Sequence, residues 1–77
     1  MSGGADLLRM AGEALYGARW QTPIAHDLGV TPRSVRHWCA RKHDCPDDIA
    51  ARLLPLVMKR GEALRRVAEA LKVNGDE

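Results

Sequence analysis

Phenylalanine is absent from this chain and tyrosine occurs once, so a core has to be built from aliphatic side chains and the two tryptophans, Trp20 and Trp38. No apolar run approaches the length of a membrane-spanning helix, and the opening MSGGADLLRM lacks the basic start and long apolar stretch of a secretory leader. The expectation is a soluble, cytoplasmic chain. Only two cysteines are present, Cys39 and Cys45, and in a reducing compartment these are expected as free thiols rather than a disulfide. Length is short as well: 77 residues hold one small helical core and no second domain to sense an effector. Neither a small-molecule effector nor a cofactor is therefore expected. Catalytic signatures are missing, with no nucleophile beside a base and no glycine-rich phosphate loop. His26 and Asp27 are neighbours in sequence but diverge on a helix, and the SGG at 2–4 reads as a flexible start. No enzyme is expected.

What the chain does have is concentrated between Gln21 and Trp38, QTPIAHDLGVTPRSVRHW. Thr22 with Pro23 reads as a helix N-cap followed by a first-turn proline, whose missing N–H costs nothing there. Ile24, Ala25 and Leu28 then form one apolar face of a two-turn helix, and Gly29 stands where a left-handed residue ends it. Val30 can dip into a core from the turn. Thr31 with Pro32 repeats the cap, and Val35, Trp38 and Cys39 give a second apolar face. Ala25 lets the two helices approach closely, while Gly29 supplies the positive φ of a sharp turn.

These residues resemble the lambda-repressor-like (Cro/repressor) helix-turn-helix family, whose pattern of Ala, Gly, an aliphatic and a final apolar residue matches Ala25, Gly29, Val35 and Trp38. The resemblance covers Gln21 to Trp38 closely, and AGEALYGARW before it and PDDIAARL after it look like flanking helices of such domains. It implies an all-α fold: a small four- or five-helix bundle with a central helix-turn-helix and a long or kinked C-terminal helix. It also implies sequence-specific binding to a double-stranded DNA operator by a small transcriptional regulator of phage or plasmid type, and size alone makes a repressor or autoregulator the expectation over an activator. In such a motif the second helix lies in the major groove, which makes Arg33, Ser34, Arg36 and His37 the candidate base readers. Gln21, Thr22 and Thr31, at helix starts, and Arg41 and Lys42, just past the reading helix, are candidate phosphate contacts. Two positions depart from the family pattern. Pro32 replaces a polar base-contacting residue, and Arg41 stands where many relatives carry glycine, so the reading helix could continue to Lys42 or beyond.

The rest of the chain reads as scaffolding. A helix over roughly Ala5 to Tyr16 carries the stripe Leu7, Leu8, Ala11 and Leu15 and stops at Gly17. Trp20 should pack back on the bundle and Trp38 close its other side. Arg41 to Cys45 reads as a loop, after which Pro46, Asp47 and Asp48 are expected in the first turn of a further helix capped by Asp44 or Cys45. Ala50, Val57, Leu64 and Leu71 then recur every seven residues, with Leu53 or Leu54, Gly61 and Ala68 between them. Pro55 and Gly61 are expected to kink or break this helix. Two readings stay open for the stripe: it packs on its own bundle, or its distal part pairs with a second subunit through Val57, Leu64, Val67 and Leu71. The latter makes a homodimer. All of this fits one domain over 1–77, with the first three helices in 1–45 and a C-terminal helical part in 46–77.

Charge supports the same reading. Net charge is only +2, yet residues 19–43 hold Arg19, Arg33, Arg36, Arg41 and Lys42 against Asp27 alone, a net +4, and the remainder carries −2. Such a cluster around the second helix suits phosphate. Zinc is a rival for His37, Cys39, His43 and Cys45, but the spacing matches no usual ligand pair, and no metal is expected. The alternative function is a helical protein-interaction module, such as an antitoxin or adaptor. That version would expose apolar residues where Arg33, Arg36 and His37 stand.

Overall fold

The computed structural model describes residues 3–75, and among them every regular element is helical. Helix α1 spans Gly4–Tyr16, a 3₁₀ turn Gly17–Arg19 follows, and then come α2 (Gln21–Leu28), α3 (Pro32–Cys39) and α4 (Ile49–Gly75). The all-α expectation holds. Of the start expected to be flexible, Gly3 caps α1 and Gly4 opens it, while Ser2 lies outside the described residues. Gly17 ends α1 at φ 75°, and its N–H donates to the Glu13 carbonyl.

The core is formed where α1, α2, α3 and the first turns of α4 meet. Leu8, Ile24 and Val35 are fully enclosed, joined by Leu15, Trp20, Ala25, Ile49 and Leu53. Ala11, Leu28, Val30, Trp38, Cys39, Cys45 and Leu56 pack around it half-buried. Trp20 is 5% exposed and lies across Gly12 of α1 so closely that a Cβ there would sit 2.1 Å from its ring. A missing side chain on α1 thus makes the slot that seats the largest core residue. Trp38 is only half-buried. It packs on the rim of the core rather than closing it as a counterpart of Trp20.

Three boundary expectations need correction. Helix α2 begins at Gln21 rather than after a cap at Thr22: Trp20 precedes it in αR conformation, and no side chain caps it. The reason is local continuity, because the 3₁₀ turn leads into α2 through Trp20 in αR conformation and Pro23 still falls among the first three residues, whose N–H groups lack helical partners anyway. Helix α4 begins at Ile49, so Pro46, Asp47 and Asp48 lie in the turn before it rather than in its first turn. The Ile49 N–H donates to the Pro46 carbonyl, and Asp48 then pairs with Arg52 at 3.2 Å. Finally, of the kink or break expected here, the break near Gly61 is absent: α4 is one 27-residue helix through both Pro55 and Gly61. A proline in its second turn removes one hydrogen bond, and a lone glycine costs about 1 kcal/mol, neither sufficient to stop a helix of this length.

The long helix controls the shape. Leu53 is its last buried residue and Leu56 its last half-buried one; from Val57 to Gly75 every position is exposed. The radius of gyration is 15.0 Å and the extents are 53 × 23 × 21 Å, against about 11.5 Å for a compact domain of this length. A bundle with a projecting arm accounts for the difference. No helix among the described residues is long and apolar enough to cross a membrane.

Candidate nucleic-acid interface

Helices α2 and α3 are held at their angle by the turn between them. Gly29 takes φ 73°, ψ 28°; its N–H donates to the His26 carbonyl at 3.1 Å and that of Val30 to Ala25 at 2.9 Å. This pair of hydrogen bonds satisfies carbonyls that the helix end would leave free, and the left-handed residue it needs is cheapest as glycine. Three residues later α3 starts on a true cap. Thr31 is extended, and its Oγ1 accepts from the Ser34 N–H at 3.1 Å, with Pro32 at the first helical position.

The far end of α3 repeats the turn with a different residue. Arg41 N–H donates to Trp38 at 3.1 Å and Lys42 N–H to His37 at 2.9 Å, the same pair of bonds that closes α2. The left-handed position is here Arg41, at φ 61°. Helix α3 therefore stops at Cys39 and does not continue to Lys42. The expectation that losing the family's glycine would let the helix run on fails because arginine adopts the glycine conformation at a steric cost.

The faces of α3 separate cleanly. Val35 is buried and Trp38 and Cys39 are half-buried against the core, whereas Arg33 and Arg36 are exposed and His37 is half-exposed beside them. Spacing of three and four places these three on one side of the helix. Among the described residues, the ion pairs are Arg41 with Asp6, Arg52 with Asp48 and Arg66 with Glu62, so neither Arg33 nor Arg36 is held by a carboxylate. Large exposed hydrophobics occur on α1 and α4 and not on α3.

The remaining candidates fall in different surroundings. Ser34 is half-buried with its hydroxyl 3.0 Å from Thr31 Oγ1, committed to the cap. Thr22, Thr31 and Lys42 are exposed, while Gln21 is half-buried, its side chain near Cys39. Arg41 turns toward α1, 3.6 Å from the Asp6 carboxylate. That exposed pair is a weak one and could yield to a phosphate.

Proton chemistry follows from the same arrangement. Partial desolvation, then the charges of Arg33, His43, Lys42 and Arg36, hold the His37 imidazole below the ordinary histidine range. It lies 5.3 Å from the His43 ring, tilted by 46°. Burial pushes the Cys39 and Cys45 thiols up, so both stay protonated near neutrality. Both are free. No group of three or more His, Cys, Asp or Glu side chains gathers as a metal would need among the described residues.

Two features of the scaffold have little sequence signal. The Tyr16 hydroxyl donates to Asp27, tying the end of α1 to α2, and that bond, with burial and the Asp27 charge, raises the phenol above its usual range. Arg41 reaching Asp6 across 35 residues is invisible to local patterning. Gly12 did carry a clue, as an isolated glycine inside a helical stripe usually marks close packing.

Compared with family models, with curated proteins and with solved structures, the chain finds no match.

Proposed function

We propose that this chain binds double-stranded DNA sequence-specifically, as a small homodimeric transcriptional regulator of repressor or autoregulator type. The observation that carries the reading is the face of α3. Two arginines with no carboxylate partner among the described residues and a histidine stand on a short helix whose opposite side is locked into the core, and that helix follows α2 through a tight left-handed turn. In a major groove Arg33 and Arg36 would each present two donors to guanine O6 and N7, worth roughly 1–3 kcal/mol of discrimination apiece. His37 can donate to a base edge, through both ring nitrogens once nearby phosphates favour its charged form. Ser34 reads a base only by releasing Thr31. Thr22, Thr31 and Lys42, with Arg41 once it leaves Asp6, would set the register on phosphates.

The test is a binding assay on DNA upstream of the chain's own gene across a salt series. Log affinity should fall linearly with log salt, at a slope near −0.9 per phosphate neutralised. Arg36→Ala should relax base preference, while Lys42→Ala should weaken all sequences alike. Absence of a specific complex at low salt, or affinity indifferent to salt, would overturn the reading. A second reading, a helical protein-interaction module, is favoured by one observation, the exposed apolar stripe on α4. The absence of large exposed apolar residues from α3 speaks against that helix as its docking face.

A further inference from the structure

Three residues advance a helix by about 4.5 Å and leave the side chain about 60° around its surface. On α1, Arg9 comes three residues after Asp6 and three before Gly12, so it stands between them both along and around the helix. Each of these two neighbours has a fixed partner outside α1. Asp6 meets Arg41, just past the end of α3, at 3.6 Å. Gly12 seats the ring of Trp20, the residue before α2. Arg9 therefore lies over the seam where the end of α3 passes the start of α2. Cys39, the last residue of α3, belongs to the same seam, since the Gln21 side chain and the Arg9 charge both act on its thiol.

Arg9 is exposed, and among the described residues no carboxylate holds it. Glu13, four residues on, has the spacing for an ion pair, yet it makes none among the described residues, and Asp6 is engaged with Arg41. The whole fork of guanidinium donors is left for a ligand from outside. What gathers around it states the kind of ligand: Gln21 and Thr22 open α2, and Arg41 and Lys42 follow α3, the polar and basic groups assigned above to phosphate. Arg9 itself falls outside the basic segment 19–43, and only the packing of α1 brings it to this edge.

We propose that Arg9 is a further phosphate contact, gripping the DNA backbone at the flank of the groove that α3 enters and so fixing how α3 sits in it. The proposal deepens the DNA reading above and rests on it. A guanidinium meets a phosphate through two parallel N–H donors, which supplies orientation as well as charge. Phosphates recur at every base step, so Arg9 positions the protein and does not read sequence. One phosphate contact adds about 0.9 to the slope of log affinity against log salt, which amounts to about eightfold in affinity at 0.1 M and vanishes near 1 M.

The salt series on the full chain, run with the upstream DNA and with an unrelated duplex, tests this. Arg9→Gln keeps the side-chain stem and loses the charge; it should weaken both complexes about eightfold near 0.1 M salt, lower the slope by about 0.9 and leave the ratio between the two duplexes as it was. Arg9→Lys should restore most of the slope. Arg65→Ala removes the same charge from the exposed arm of α4 and should leave the slope alone. An unchanged slope for Arg9→Gln, or an equal fall for Arg65→Ala, would overturn the proposal while the DNA reading stands. A chain without substitutions that forms no salt-dependent complex would remove both. Urea midpoints of the Arg9 variants equal to that of the parent chain are expected, and a fall in midpoint without a fall in slope would make Arg9 a structural residue and also overturn the proposal.

Discussion

At the scale of single residues, two positions hold the fold by unusual means. Gly12 has no side chain because the Trp20 ring occupies its place, with the nearest ring atom 2.1 Å from where a Cβ would stand. Alanine there gains up to about 1 kcal/mol in helix propensity. It also drives an atom into the body of an aromatic ring that cannot swing away without emptying the core. Gly12→Ala should destabilise by about 1–3 kcal/mol, read as a lower urea midpoint and reduced near-ultraviolet signal from Trp20; a stabilised variant would refute the slot. Arg41 is the converse case, a side chain where glycine belongs. Its left-handed φ of 61° costs about 1 kcal/mol, and the exposed pair with Asp6 returns only part of that. Arg41→Gly should therefore raise stability by about 0.5–1 kcal/mol. Thermal unfolding would measure it, and a fall in Tm would mean the Asp6 contact outweighs the strain.

Among the elements, α4 behaves as two helices joined end to end. Its first turns are fixed by Ile49 and Leu53, Lys59, Arg60 and Ala63 border a cleft shared with Tyr16 and Asp27, and farther out the ion pair among the described residues is the exposed Arg66–Glu62 at 3.0 Å. Pairs of that kind contribute about 0.2–0.5 kcal/mol each, too little to hold nineteen exposed residues helical against fraying. Amide hydrogen exchange beyond Val57 should thus be fast at low protein concentration and slow down as concentration rises, whereas α1 and α2 stay protected throughout. Concentration-independent protection of the arm would show that it is stable alone. Both α2 and α3 were legible in the sequence because their signals are local: glycine after the last apolar residue, and threonine–proline before Val35. The start of α2 is not legible in the sequence, since Thr22–Pro23 carries the same dipeptide and only the preceding 3₁₀ turn decides that the helix has already begun. The cap that works at Thr31 is idle at Thr22.

For the whole molecule, charge is gathered rather than balanced, with a net +4 in residues 19–43 against −2 elsewhere. His37 senses this field, since after desolvation its depression comes from Arg33, His43, Lys42 and Arg36. A histidine held below its unfolded value of 6.5 binds fewer protons when folded. Its contribution to stability is therefore present above that value and is lost as pH falls through the folded one. DNA reverses the sign, because phosphates offset the charge of Arg33, Arg36 and Lys42 and favour the charged imidazole. Affinity should accordingly strengthen as pH is lowered from 8 toward 6, with proton uptake on binding, and His37→Asn should flatten this dependence. Equal pH profiles for the two proteins would remove His37 from the interface.

Sequence by itself determined the turn at Gly29, the cap at Thr31, the apolar faces of the first three helices and the position of the basic cluster, since each depends on residues within one or two turns of one another. The tertiary structure alone decided that Trp20 fills the space over Gly12, that Arg41 ends α3 in a glycine conformation while reaching Asp6, and that the stripe of α4 leaves the bundle. The last point has a simple cause. A period along one helix says which residues share a face, but whether that face is covered depends on how far the other helices extend, and α1 and α2 run out before α4 does.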